Sequence, residues 1–178
     1  MAQIKTSPLW PATNPRSPVK LALMDPDINF MQMALDEAKK AEKLGEVPIG
    51  AVITHQGQVI AQAHNLKEST QDPLGHAEIL ALQQATKQLG RWRLSDCCLY
   101  VTLEPCSMCA GAIVQARIDR VVFATSDPKA GACGSLMNLV QDERLNHRVE
   151  LVSGPLAETA SQLLSNFFKH LRARNSKP

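Results

Sequence analysis

The stretch Cys98–Ala124, CLYVTLEPCSMCAGAIVQARIDRVVFA, carries the reading of the fold. Cys98–Leu103 is a short apolar run and reads as a buried strand. Glu104-Pro105 interrupts it, and Cys106–Ala116 follows as a helix of small and aliphatic residues. Val121, Val122 and Phe123 then mark a second strand over Arg120–Ala124. A strand, a crossover helix and another strand predict a parallel pair with the helix laid on one face.

Upstream, Ile49–Thr54 and Gln58–His64 flank His55-Gln56-Gly57, which reads as a hairpin turn. Asp25-Pro26 is a helix-start signal, an N-cap acid followed by proline in the first helical position. It opens a helix over Asp27–Leu44 that Gly45 stops. Asn65–Gly75 is polar and reads as a loop. His76–Leu89 has helical spacing at Ile79, Leu82 and Leu89 and ends at Gly90. Downstream, Asp127–Gly134 reads as a loop, Val149–Val152 as a short strand and Pro155–Arg174 as a closing amphipathic helix. One hairpin followed by crossovers predicts an α/β fold, a three-layer α/β/α sandwich around a mixed five-stranded sheet. Residues 25–178 are expected to form one domain, and 1–24, with Pro8, Pro11, Pro15 and Pro18, a flexible extension.

Composition bounds the function classes. The chain has 178 residues, 44% hydrophobic and 20% charged, enough for one buried core. No apolar run approaches the roughly 20 residues that span a bilayer, so no membrane partner is expected. Val19–Met24 is too short for a secretory signal core and contains Lys20. Five cysteines, an odd number, point away from a disulfide scaffold and toward a reduced, cytoplasmic setting. Charge is unevenly spread. Of the 19 basic residues, three (Lys5, Arg16, Lys20) lie in 1–24 and four (Lys169, Arg172, Arg174, Lys177) in 165–178. The other 12 share residues 25–164 with all 17 acids, so that body is about five charges negative between basic ends. Basic ends suit a polyanion, and equally serve solubility.

Two segments carry chemistry: His76-Ala77-Glu78 and Pro105-Cys106-Ser107-Met108-Cys109. Cys106 and Cys109, three apart on a first helical turn, present both sulfurs on one face. The helix N-terminus favours their thiolates. His76, opening the other helix, adds an imidazole nitrogen, and this donor set suits Zn²⁺. Three protein ligands leave the fourth position to water, whose pKa zinc lowers from 15.7 to roughly 7. Glu78 is turned about 200° from His76 on a helix, so it reads as a proton carrier rather than a chelating partner. A fourth ligand from Cys97, Cys98 or Cys133 would instead close a structural site. Cys97 and Cys98 read as packing residues and Cys133 as a loop bystander. His55, His64 and His170 show no partner in the sequence.

The signature His-x-Glu followed by Pro-Cys-x-x-Cys is that of the zinc deaminases. With Val47-Pro48-Ile49-Gly50-Ala51-Val52, Asn65, Ala110-Gly111-Ala112, Gly134-Ser135-Leu136-Met137, Asn146-His147-Arg148 and Phe167-Phe168, the chain resembles the bacterial tRNA-specific adenosine deaminases, from about Phe30 to Arg172. That resemblance implies a cytidine deaminase-like fold and hydrolysis of the wobble adenosine of a tRNA anticodon stem-loop to inosine and ammonia. The expected substrate is the arginine tRNA with anticodon ACG. It implies a homodimer whose partner subunit helps form the RNA groove, and one Zn²⁺ per subunit. His76, Cys106 and Cys109 would bind the zinc, and Glu78 would shuttle protons. Asn65 and the Ala77 backbone would hold the flipped nucleotide, and Val47 and Leu103 would wall the base. Asp127, Lys129, Phe168, Asn146 and Arg172 would contact the RNA. Asn138 and Asn166 depart from the Asp common in the family, and Cys133 from an Ala; residues 1–24 have no counterpart in its short forms. Two other readings stand beside this one: a deaminase of free cytosine, guanine or a nucleoside, and a non-enzymatic zinc-stabilised module.

Overall fold

The computed structural model describes residues 25–175, so the expected extension at 1–24 lies outside the described residues. The chain order is α1 (Pro26–Lys43), β1 (Gly50–His55), β2 (Gln58–His64), α2 (Lys67–Thr70), α3 (Ala77–Leu89), β3 (Cys97–Leu103), α4 (Ser107–Ala116), β4 (Arg120–Thr125), β5 (Glu150–Ser153) and α5 (Ala157–Asn175). The sheet runs β2-β1-β3-β4-β5. The β1–β2 and β1–β3 pairs are antiparallel, and β3–β4 and β4–β5 are parallel. The mixed five-stranded sheet expected from the hairpin and the crossover is therefore present.

Alternation along the strands sorts the core into two layers. Ala51 and Ile53 of β1, Leu99 and Val101 of β3, and Val121 and Phe123 of β4 face α3 and α4 with Ala81, Ala85, Ile113 and Val114. Val52, Tyr100, Val122 and Ala124 face the other way, against Met31, Ala34 and Leu35 of α1 and Ala160 of α5. All three central strands thus bury both faces, which is why β3 and β4 are apolar at nearly every position.

Element ends follow local chemistry. Asp25 caps α1 by accepting from the Asp27 N–H at 3.0 Å, with Pro26 in the first helical position. At the other end Gly45 takes φ +79°, and the N–H groups of Gly45 and Glu46 donate to the carbonyls of Glu42 and Ala41, both at 3.0 Å. This is a Schellman motif, and it fixes where Glu46 sits. The Asp27 carboxylate receives Arg120 Nη1 and Nη2 at 2.8 and 2.7 Å, tying the start of α1 to β4. The Arg120 guanidinium, against the opposing effect of burial, holds the Asp27 carboxyl below its usual range.

The structure corrects the reading of Asn65–Gly75 as unbroken loop: Lys67–Thr70 forms the single turn α2. Four residues carry no periodicity, and the turn is fixed by a distant carboxylate described below. The helices over Asp27–Leu44, His76–Leu89, Cys106–Ala116 and Pro155–Arg174 are present with ends displaced by one or two residues. His76 and Cys106 prove to be N-caps rather than first helical residues. His64, without a partner in the sequence reading, meets Glu37 of α1 through Nδ1 at 2.8 Å.

α1 crosses β1 closely at Gly50, where a Cβ would overlap the Ala34 carbonyl oxygen and the Ala38 nitrogen. Gly50→Ala is therefore expected to lower stability by about 1–3 kcal/mol, read as a shift of the urea midpoint. An unchanged midpoint would show that α1 gives way freely.

Candidate active site

The N-termini of α3 and α4 lie side by side under one end of the sheet. His76 precedes α3 with an extended backbone (φ −78°, ψ 144°), and Cys106 precedes α4 likewise (φ −71°, ψ 173°). His76 Nδ1 lies 3.7 Å from Cys106 Sγ and 3.5 Å from Cys109 Sγ. One donor atom from each residue falls within 4.8 Å of the others, and this is the one such His/Cys/Asp/Glu group among the described residues. The fourth protein ligand that a structural site would take from Cys97, Cys98 or Cys133 is not in it. All five cysteines are free thiols.

The electrostatics of the group fit a cation. The Cys109 thiol, chiefly, and His76 hydrogen-bond Cys106 and draw its pKa down to about 3. The Cys106 sulfur and burial in turn push Cys109 up. The His76 imidazole is raised, first by its bond to Cys106. These sulfurs compete for a proton in a space that two thiolates would share only with a positive charge between them. Glu78 is buried, and burial pushes its carboxyl up. Its Oε2 is the one buried side-chain oxygen or nitrogen without a hydrogen-bond partner among the described residues. An orphaned buried carboxylate oxygen is costly, and it suits a group that must exchange protons with something bound beside it.

Above the cluster opens a cavity of about 520 Å³. Of the residues singled out in the sequence, Val47, Asn65, His76, Leu103, Asp127, Lys129 and Phe168 line it. Ala77 and Glu78 are buried at the start of α3. Asn146 and Arg172 are not in the lining; Asn146 Oδ1 accepts from Arg117 Nη1 at 2.6 Å. Phe168 is 39% exposed and meets Phe167 edge-on, with centroids 5.5 Å apart. Sequence reasoning missed Lys67, Ser161 and Ser165, which also line the cavity. A signal existed for the serines, since Ser161, Ser165 and Phe168 recur at the four- and three-residue spacing of one helix face. Lys67 had none, because its place depends on α2.

The rim bearing Asp127 and Lys129 is held by Glu104. Its buried carboxylate accepts the N–H groups of Asp127 (2.9 Å), Cys133 (2.9 Å) and Ser135 (3.0 Å), and the Ser135 hydroxyl. Burial opposes the charge, but these donors outweigh it and hold the carboxyl below its usual range. Gly131 passes so close that a Cβ there would overlap the Glu104 carboxylate. Cys133 is thus no loop bystander: it is buried, and its backbone is one of the anchors. In Glu104→Gln one of these donors must face an amide NH₂. Exchange protection at Asp127, Cys133 and Ser135 is expected to fall at least about tenfold, with a stability loss of about 1–3 kcal/mol. Amide hydrogen exchange reads this directly, and retained protection would show that the loop orders itself.

Comparison with known proteins agrees with this geometry. The sequence model of the MafB19-like deaminase family matches residues 25–172. The tRNA-specific adenosine deaminase of Bacillus subtilis is 54% identical over 151 residues, covering 85% of this chain and 94% of that protein. That of Aquifex aeolicus is 49% identical over 143 residues, covering 80% and 94%. Among solved structures, one from a study of A-to-I editing by tRNA:A34 deaminases at the wobble position of transfer RNA superposes with a TM-score of 0.74. It shares 41% identity and covers 76% of this chain and 99% of that one. The chain belongs to the MafB19-like deaminases and, within them, to the tRNA-specific adenosine deaminase family.

Proposed function

We propose that residues 25–178 form a deaminase domain that hydrolyses the wobble adenosine of a tRNA anticodon stem-loop to inosine, releasing ammonia. The arginine tRNA with anticodon ACG is the expected substrate. The observation that carries the reading is the unpartnered Oε2 of Glu78, two residues beyond a histidine that lines the cavity and converges with two cysteines. The free-nucleobase or nucleoside alternative is disfavoured by the relatives at 54% and 49% identity.

His76, Cys106 and Cys109 would hold one zinc ion per subunit. When bound, zinc acts as a Lewis acid that makes water a nucleophile near neutral pH. Glu78 takes a proton from the attacking water and passes it to N1 of adenine as the oxygen adds to C6. It then takes the second proton from the oxygen added at C6 and delivers it to the exocyclic amine, which leaves as ammonia as the C6–N bond breaks and C6=O forms. The raised proton affinity that burial gives Glu78 suits both duties. Val47 and Leu103 wall the base. Asn65 and the Ala77 backbone hold the nucleotide, and Asp127, Lys129 and Phe168 receive the loop, with Asn146 and Arg172 farther out. A single-stranded loop supplies an unstacked base at low cost, and an exposed ring such as Phe168 can stack on it, worth about 1–3 kcal/mol.

The active species is a homodimer in this reading. An outward groove between α3 and α4, lined by Ile79, Leu82, Trp92 and Ala112, supports it, as does the exposure of Leu136 and Met137. No described helix is long and apolar enough to cross a membrane. A cytoplasmic location fits a tRNA substrate and five free thiols.

Incubation with the arginine tRNA stem-loop should convert the wobble adenosine to inosine, read by sequencing or mass. Unchanged adenosine with zinc-loaded protein would defeat the reading. Glu78→Ala should abolish turnover with bound zinc unchanged by metal analysis; loss of the metal would make the carboxylate structural. Binding should weaken about tenfold or more between 50 and 200 mM salt if about three phosphates are contacted. A deaminase of free bases would act on monomers with little salt dependence.

A further inference from the structure

Glu46 is a fully buried acid that the chemistry above does not use, and it has no cationic partner among the described ion pairs. Its backbone is pinned by the Schellman motif that ends α1, in a position where helices commonly place an apolar side chain. The carboxylate faces donors instead. Oε2 accepts from Asn65 Nδ2 at 3.0 Å, and Oε1 accepts from the Ser69 N–H at 2.5 Å and its hydroxyl at 2.6 Å. Burial penalises the charge, and these bonds, with one from the Glu68 N–H, outweigh it. The partners belong to the cavity wall. Asn65 lines it, Val47 is the residue after Glu46, and Ser69 belongs to α2, whose first residue, Lys67, also lines it.

We propose that Glu46 is a positioning residue for substrate: its carboxylate fixes the orientation of the Asn65 amide and, through Ser69, holds the α2 turn that places Lys67. An ionised carboxylate only accepts, so the NH₂ end of Asn65 must be the end turned to it. The rest of that amide is thereby committed to the cavity in one orientation. Thr, Ser or an apolar residue at 46 would leave the amide free to rotate. The inference rests on the adenosine deaminase reading for its catalytic consequence and on the geometry alone for the Asn65 orientation.

The test is a double-substitution cycle on the zinc-loaded full chain, with the tRNA stem-loop as substrate. Glu46→Gln should lower kcat/KM at least about tenfold with zinc content unchanged. Asn65→Ala should lower it comparably. In the Asn65→Ala background, Glu46→Gln should cost less than about threefold more, because the group it positions is gone. Fully multiplicative losses would overturn the proposal and leave Glu46 a general stability residue. A second measurement needs neither a folded variant nor RNA. In the wild-type chain the Asn65 side-chain amide protons should be resolved, shifted downfield and slow to exchange, unlike those of exposed Asn166. Averaged, fast-exchanging Asn65 protons would overturn the proposal. A wild-type chain that leaves the stem-loop unchanged would remove the functional reading, and the amide resonances would still judge Glu46.

Discussion

Two helix N-termini have to meet, and nearly everything else in the molecule serves that meeting. His76 and Cys106 stand just ahead of α3 and α4, and their donor atoms converge only because both helices pack on the same face of the sheet. The small residues of that interface, Ala81 and Ala85 on α3 and Ala110 on α4, allow the helices to lie close to the strands. The parallel β3–β4 pair sets the height at which α4 begins, since Leu103 and Cys106 are separated only by Glu104-Pro105. Of this cluster His76 lines the cavity, where a reacting base can be presented.

Two buried carboxylates extend this order outward. Glu46 and Glu104 sit at the ends of α1 and β3, and each collects hydrogen bonds from a segment without much regular structure. Among the described residues neither forms an ion pair. A charge in such a place is tolerated only when several N–H and O–H groups converge on it, and those groups then lose their freedom. The two acids convert polar loops into fixed parts of the wall of one cavity.

The frame of the fold was legible because its punctuation is local. Asp25-Pro26, Gly45 and Gly90 state helix ends through capping and left-handed backbone, and β3 and β4 declare themselves by apolar runs. The donor cluster was legible because Cys106 and Cys109 share one turn and His76 stands at a helix start. What was not legible depends on contacts between distant residues. The turn α2 is set by Glu46, 23 positions before Ser69, and the ordered course of 127–135 by Glu104. The His64–Glu37 pair joins residues 27 apart across α1 and β2. No window of sequence contains both members of these pairs, and hydrophobic period is silent about polar partners.

The wall made by α5 has a consequence for biosynthesis. Ser161, Leu164, Ser165 and Phe168 complete the cavity, yet they follow every other lining residue in the chain. A ribosome-bound chain exposes the helices bearing His76, Cys106 and Cys109 well before that wall has emerged from the exit tunnel. The three donor residues therefore emerge before the last wall of the cavity, and any grip on RNA that uses that wall has to come after them.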